Sequence, residues 1–140
     1  MMKNNRRSIW LVLTLIALVA LALAACGTAP ATVGKATPAE IAARIPADLN
    51  NGLILLDVRT PQEWADDGHI AGATLLPLDE LPSRALNELP KDAEIVVYCR
   101  SGNRSSQAAD WLIQNGYTNV SDLGGINDWK AQGYPVEYGQ

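Results

Sequence analysis

The chain is poor in the residues that build metal centres and cross-links: its 140 residues include two cysteines, Cys26 and Cys99, and one histidine, His69. It is also short of positive charge, with 11 Lys and Arg against 15 Asp and Glu and a formal charge of −4. That balance argues against nucleic acid as a partner, because such binding rests on a surplus of Lys and Arg facing the phosphates. No internal repeat is present, and no block of like charge is long enough to form a disordered tail. The length leaves room for one domain, since domains typically run to about 100–150 residues.

Charge is missing altogether from one long stretch. Lys3, Arg6 and Arg7 precede "IWLVLTLIALVALALAA", Ile9 to Ala25, and a basic start followed by such a run is the layout of a secretory signal. The run falls short of the ~18–20 residues of a spanning helix, and no basic stop-transfer cluster follows it; a retained signal anchor is the alternative. Leu23-Ala24-Ala25-Cys26-Gly27 resembles the lipobox of bacterial lipoproteins. The resemblance implies that residues 1–25 leave as a signal peptide and that Cys26 is acylated. The protein would then be held by lipid to a membrane of the cell envelope, on its extracytoplasmic side, because two or more acyl chains anchor stably. The bland alternative is that Cys26 is one more apolar residue of the leader. Cleavage would leave eight basic side chains against all fifteen acidic ones. It would also leave Cys99 without an intramolecular disulfide partner. Cys99 and His69 alone fall short of the three or four ligands of a zinc site, so no metal is expected. Cys99 is then either a space-filler or a working thiol.

Residues 27–36, "GTAPATVGKA", have the small, Gly- and Pro-containing composition of a flexible tether, so residues 26–36 read as lipidated cysteine plus linker and 37–140 as the folded domain. Thr37-Pro38-Ala39-Glu40 combines a capping residue, a proline at the first helical position and a glutamate three after the cap, which predicts a helix to about Ile45. Thr60-Pro61-Gln62-Glu63 repeats the device and opens a helix carrying Trp64. Between them "GLILLDV", and later "EIVVYC", are unbroken apolar runs of strand length, the mark of strands buried on both faces of a parallel sheet. Weaker strand candidates are Ala73 to Pro77 and Asn119 to Leu123. In "SSQAADWLIQNG" the residues Ala108, Ala109, Leu112 and Ile113 fall on one helical face and Gly116 ends it. Alternating strands and helices predict an α/β domain with helices on both faces of the sheet.

The stretch "YCRSGNRSS", Tyr98 to Ser106, sets Cys99 between a strand and a helix. In an open parallel sheet that is the ligand-binding edge. Free amide N–H groups of the loop and first helical turn, with the positive end of the helix dipole, favour a thiolate there. Gly102 allows positive φ, and Arg100 and Arg104 add charge. The competing reading is a buried cysteine that only packs.

Three segments, "LLDVRTPQEWADDGHIAGA" (Leu55 to Ala73), "VVYCRSGNRSSQAADWL" (Val96 to Leu112) and "DLGGINDWKAQGYPVE" (Asp122 to Glu137), resemble in order and spacing those of a single-domain rhodanese, a sulfurtransferase. The resemblance implies a rhodanese-like domain with a central parallel sheet of about five strands, no cofactor, and Cys99 as the persulfide carrier. Cys99 would take the outer sulfur of a small anionic donor such as thiosulfate and pass it to a thiol or cyanide acceptor. Amides from Arg100, Ser101, Gly102, Asn103, Arg104 and Ser105 would surround the persulfide, and Arg100 and Arg104 would hold the donor's sulfonate oxygens. Asp57 and Arg59, two apart on one side of their strand, are expected beside the Cys99 loop as ordering residues, with a plain salt bridge or helix cap as the alternative. His69 reads as a packing or hydrogen-bonding residue rather than a base, and Trp64, Trp111 and Trp129 as core. Phosphatases and arsenate reductases with a cysteine loop place five residues between cysteine and arginine. Here four separate Cys99 from Arg104, which disfavours that chemistry. A non-catalytic binding or sulfur-sensing module is the rival from another class, and an intact loop with its cysteine favours the enzyme. A monomer is expected.

Overall fold

The computed structural model describes residues 31–49 and 52–139; the expected leader, Cys26 and the first part of the tether lie outside them. In chain order the elements are β1 (Gly34–Lys35), α1 (Pro38–Asp48), β2 (Leu53–Asp57), α2 (Pro61–Asp67), β3 (Thr74–Leu75), α3 (Leu81–Glu88), β4 (Glu94–Cys99), α4 (Asn103–Gln114), β5 (Asn119–Gly125) and α5 (Ile126–Ala131). The strands form one sheet in the order β1-β5-β4-β2-β3, and all four neighbouring pairs are parallel. The expected α/β architecture is therefore present, with β4 at the centre.

Unbroken apolarity in β2 and β4 corresponds to burial on both faces. From β4, Ile95, Val97 and Cys99 point into a cluster with Leu81 and Ala85 of α3 and Ala108, Ala109 and Leu112 of α4. Val96 and Tyr98 point the other way, against Ile41 of α1 and Ile126 and Trp129 of α5. Burying an aliphatic side chain of this size contributes about 1.5–3 kcal/mol, so β4 is the strand whose position is most firmly fixed. The Cys99 loop begins at the end of this strand.

Both predicted capping boxes form: Thr37 and Thr60 each accept from the backbone N–H of the glutamate three residues on, and each glutamate reaches back. Helix α1 continues past Ile45 to Asp48, assisted by Arg44, which meets Asp48 one turn later at 2.6 Å and Glu94 of β4 at 2.8 Å. Gly34 and Lys35, read from composition as tether, form the edge strand β1 instead. They pair with Ser121 and Asp122, and Lys35 Nζ lies 2.8 Å from the Asp122 carboxylate. A two-residue strand without an apolar run has no periodicity to betray it.

The tryptophans divide. Trp129 is core, whereas Trp111 and Trp64 are half-buried, and α2 contributes no buried residue. Polar contacts and the Trp64 ring hold α2. That ring stacks on His69 with centroids 3.6 Å apart. His69 is buried as a packing residue, and its backbone exchanges two 2.8 Å hydrogen bonds with Glu137.

Candidate active site

Helix α4 begins without a side-chain cap: its N-cap is Gly102, at φ +100°, which has no side chain to accept from the first turn. Those N–H groups need an acceptor, and the sulfur of Cys99 lies among them. Gly102 N–H donates to Sγ at 3.1 Å, and the backbone N–H groups of Ser105 and Ser101 also face it. The Ser105 hydroxyl accepts from the Cys99 thiol at 3.7 Å while its one proton faces the Gly102 and Gly124 carbonyls at 3.0 and 3.2 Å, and that proton can turn to the sulfur once the thiol ionises. Burial pushes the Cys99 thiol up, but the N–H groups of Ser105 and Gly102, the Ser105 hydroxyl and the Ser101 N–H together outweigh it. The thiol is held below its ordinary value. An exposed thiol would not show this balance; a buried one without N–H donors would be shifted the other way.

Glycine is required twice around this cradle. Gly102 needs its positive φ. Gly125, paired with Cys99 across β4 and β5, lies so close beneath the loop that a Cβ there would sit 2.6 Å from the Arg100 carbonyl oxygen and 2.8 Å from Ser101 Cα. The approach is set by a register shift between Val97 and Tyr98, opposite Asp122 and Gly124, where the Asp122 carboxylate accepts from Gly124 N–H at 2.9 Å. Gly125→Ala is expected to cost about 1–3 kcal/mol by overpacking backbone on backbone and to spread the Cys99 loop; thermal unfolding and the pH dependence of Cys99 alkylation measure the two effects.

The other loop residues are not all brought to the sulfur. Arg100, Ser101 and Asn103 are exposed, and the Asn103 side chain turns along the helix to accept from Gln107 at 2.7 Å. Arg104, expected to hold a donor, is engaged instead by Glu63: its two terminal nitrogens meet the two carboxylate oxygens at 2.6 and 2.7 Å. Arg104 is still close enough to Cys99 for their charges to interact, after the stronger influence of Glu63. Glu63 in turn is held at about 2, mainly by Arg104, with Thr60 adding to it against a burial penalty.

Asp57 and Arg59 form a fully buried ion pair, with Arg59 Nη2 2.6 Å from Asp57 Oδ2 and Nε 3.0 Å from both oxygens. Beyond the salt bridge, Arg59 donates to the Gly68 carbonyl at 2.8 Å and the Glu63 carbonyl at 3.4 Å. Its guanidinium lies 5.8 Å from the ring of Tyr98, the neighbour of Cys99. The side chains run in a chain of contacts, Asp57 to Arg59 to the Glu63 backbone, then Glu63 to Arg104. Glu63 was legible only as a local cap. Its second partner lies 41 positions away, beyond the reach of a local pattern. Among the described residues no cluster of His, Cys, Asp and Glu is arranged to hold a metal ion.

Comparison with known proteins is consistent with this geometry. The family profile described as "Rhodanese-like domain" matches residues 37–132. A protein named sulfurtransferase from Allochromatium vinosum is 47% identical over 85 residues, covering 60% of this chain and 78% of that protein. Thiosulfate sulfurtransferase PspE from Escherichia coli is 38% identical over 74 residues, covering 52% of this chain and 70% of its own. Among solved structures, the Alr3790 protein from Anabaena sp. superposes with a TM-score of 0.67 at 35% identity, covering 74% of this chain and 91% of that one.

Proposed function

Because the chain belongs to the rhodanese-like domain family, we propose that it is a sulfurtransferase that carries sulfane sulfur as a persulfide on Cys99. The observation that carries this reading is the Cys99 sulfur standing as acceptor at the uncapped start of α4, with its thiol held below the ordinary value. A thiolate so placed attacks the outer sulfur of thiosulfate: a new S–S bond forms, the old one breaks, and sulfite leaves with the bonding pair. The persulfide's terminal sulfur then lies toward the loop N–H groups, which stabilise its negative charge as they stabilise the thiolate. Cyanide, or a thiolate acceptor, attacks that sulfur and restores the Cys99 thiolate. The names of relatives from Allochromatium vinosum and Escherichia coli support the same class of reaction. Phosphoryl or arsenate chemistry is disfavoured by the four-residue spacing to Arg104 and by the occupation of its guanidinium by Glu63.

The reading extends to location. The basic start, the uncharged run from Ile9 to Ala25 and the sequence Leu23 to Gly27 support an extracytoplasmic domain tethered by lipid on Cys26. Two experiments test these claims separately. Thiocyanate formation from thiosulfate and cyanide is expected from the purified domain and not from Cys99→Ser; turnover that survives the substitution removes the catalytic reading. Palmitate labelling in cells is expected to disappear in Cys26→Ala, and label that persists removes the anchor.

A further inference from the structure

The Glu63 carboxylate lies in the place where a donor's anionic group would meet Arg104. It fills the guanidinium fork at 2.6 and 2.7 Å and accepts as well from Thr60 N–H at 3.0 Å and the Thr60 hydroxyl at 3.1 Å. Its backbone is fixed from behind by Arg59. Held at about 2, it is ionised throughout the neutral range. To an approaching anion the Glu63–Arg104 pair is close to neutral, because the attraction of one charge cancels the repulsion of the other to first order. That leaves Arg100 as the guanidinium of the loop outside any ion pair among the described residues. Arg100 is exposed, where solvent and salt screen its pull.

We infer that Glu63 is a specificity-determining residue: by occupying Arg104 it turns the site away from donors that lose sulfite, such as thiosulfate, and toward hydropersulfides, whose leaving group is a thiolate. This rests on the sulfur-transfer reading above and refines its donor. With a hydropersulfide R–S–SH, the Cys99 thiolate attacks the terminal sulfur. The S–S bond of the donor breaks, its electron pair leaves on RS⁻, and Cys99 retains the –SH as its persulfide. The departing thiolate carries one negative charge where sulfite carries two. It therefore needs less of the cationic help that Arg104, clasped as it is, does not supply.

The test follows Cys99 persulfide formation by intact mass at varied donor concentration, with thiosulfate and with the hydropersulfide of β-mercaptoethanol, in wild type, E63Q, R104Q and the double variant. In E63Q the rate ratio of thiosulfate to hydropersulfide is expected to rise about ten-fold, through a lower half-saturating thiosulfate concentration, as a freed guanidinium gains a charge-assisted contact. The gain should be absent from E63Q/R104Q. R104Q alone leaves the ionised Glu63 carboxylate without its counter-charge and should raise the half-saturating thiosulfate concentration several-fold, while E63Q/R104Q, which removes both charges, should return it to within about three-fold of wild type; R104Q decides the matter where E63Q fails to fold. A donor ratio unmoved in folded E63Q, a gain that persists in the double variant, or a half-saturating thiosulfate concentration that R104Q leaves unchanged overturns the assignment. A glutamate that only capped α2 would lower the Tm of E63Q and leave the ratio where it was. Wild type that takes sulfur from neither donor sinks the sulfur-transfer reading itself, whereas transfer with an unresponsive ratio sinks only the role of Glu63.

Discussion

Asp57→Asn is expected to destabilise the domain by about 3–5 kcal/mol, the cost of leaving one member of a buried ion pair without its counter-charge. Both side chains are fully buried, and the substitution keeps the volume while removing the charge that faces Arg59. Arg59 would retain its contacts to the Gly68 and Glu63 carbonyls, which are dipoles and offset only part of a full charge. For a domain of about 100 residues with total stability of about 5–15 kcal/mol, this is a large fraction, and a fall in Tm of more than about 10 °C follows. A double-mutant cycle identifies the source: Arg59→Met should cost markedly less in the Asp57→Asn background than in wild type. Equal costs in the two backgrounds would mean that the pair contributes nothing as a pair.

Cys99→Ser is expected to lower sulfur transfer by about three orders of magnitude or more, because in the proposed mechanism the nucleophile and the carrier of the transferred atom are the same sulfur. The pH dependence of the wild type gives a subtler result. The thiolate is the reactive form and the Cys99 thiol is held below its ordinary value. Persulfide formation should therefore rise with pH and reach half its maximum at a lower pH than a free thiol would. Ser105→Ala removes the hydroxyl near the sulfur and leaves the N–H donors in place, so the midpoint should move up while the plateau at high pH changes little. A midpoint that stays fixed would show that the hydroxyl serves only to tie Gly102 to Gly124.

Much of this was readable in the sequence, for identifiable reasons. Uninterrupted apolar runs gave β2 and β4 because a strand covered on both faces has no polar side to display. Two capping boxes gave the starts of α1 and α2 because a cap is a contact within four residues. The position of Cys99 between strand and helix followed from the same local signals. What escaped was non-local or too small to have a pattern. The β1 edge is two residues long. Helix α3 opens without a side-chain cap, on Glu80, so it lacks the start signal that α1 and α2 carry. The Glu63–Arg104 clasp joins segments that only the fold brings together, and it engages a guanidinium that the family resemblance had assigned to the donor. Gly125 is constrained by the backbone of a neighbouring loop, which no property of its own segment reveals.

Transfer through Cys99 requires that sulfur rest on that residue between donor and acceptor. Intact mass of the purified domain after incubation with thiosulfate tests it in one step. The expected result is a gain of one sulfur atom that cyanide removes and that Cys99→Ser never acquires. A domain that gains no sulfur from thiosulfate or a hydropersulfide, or one whose added sulfur survives the loss of Cys99, would contradict it.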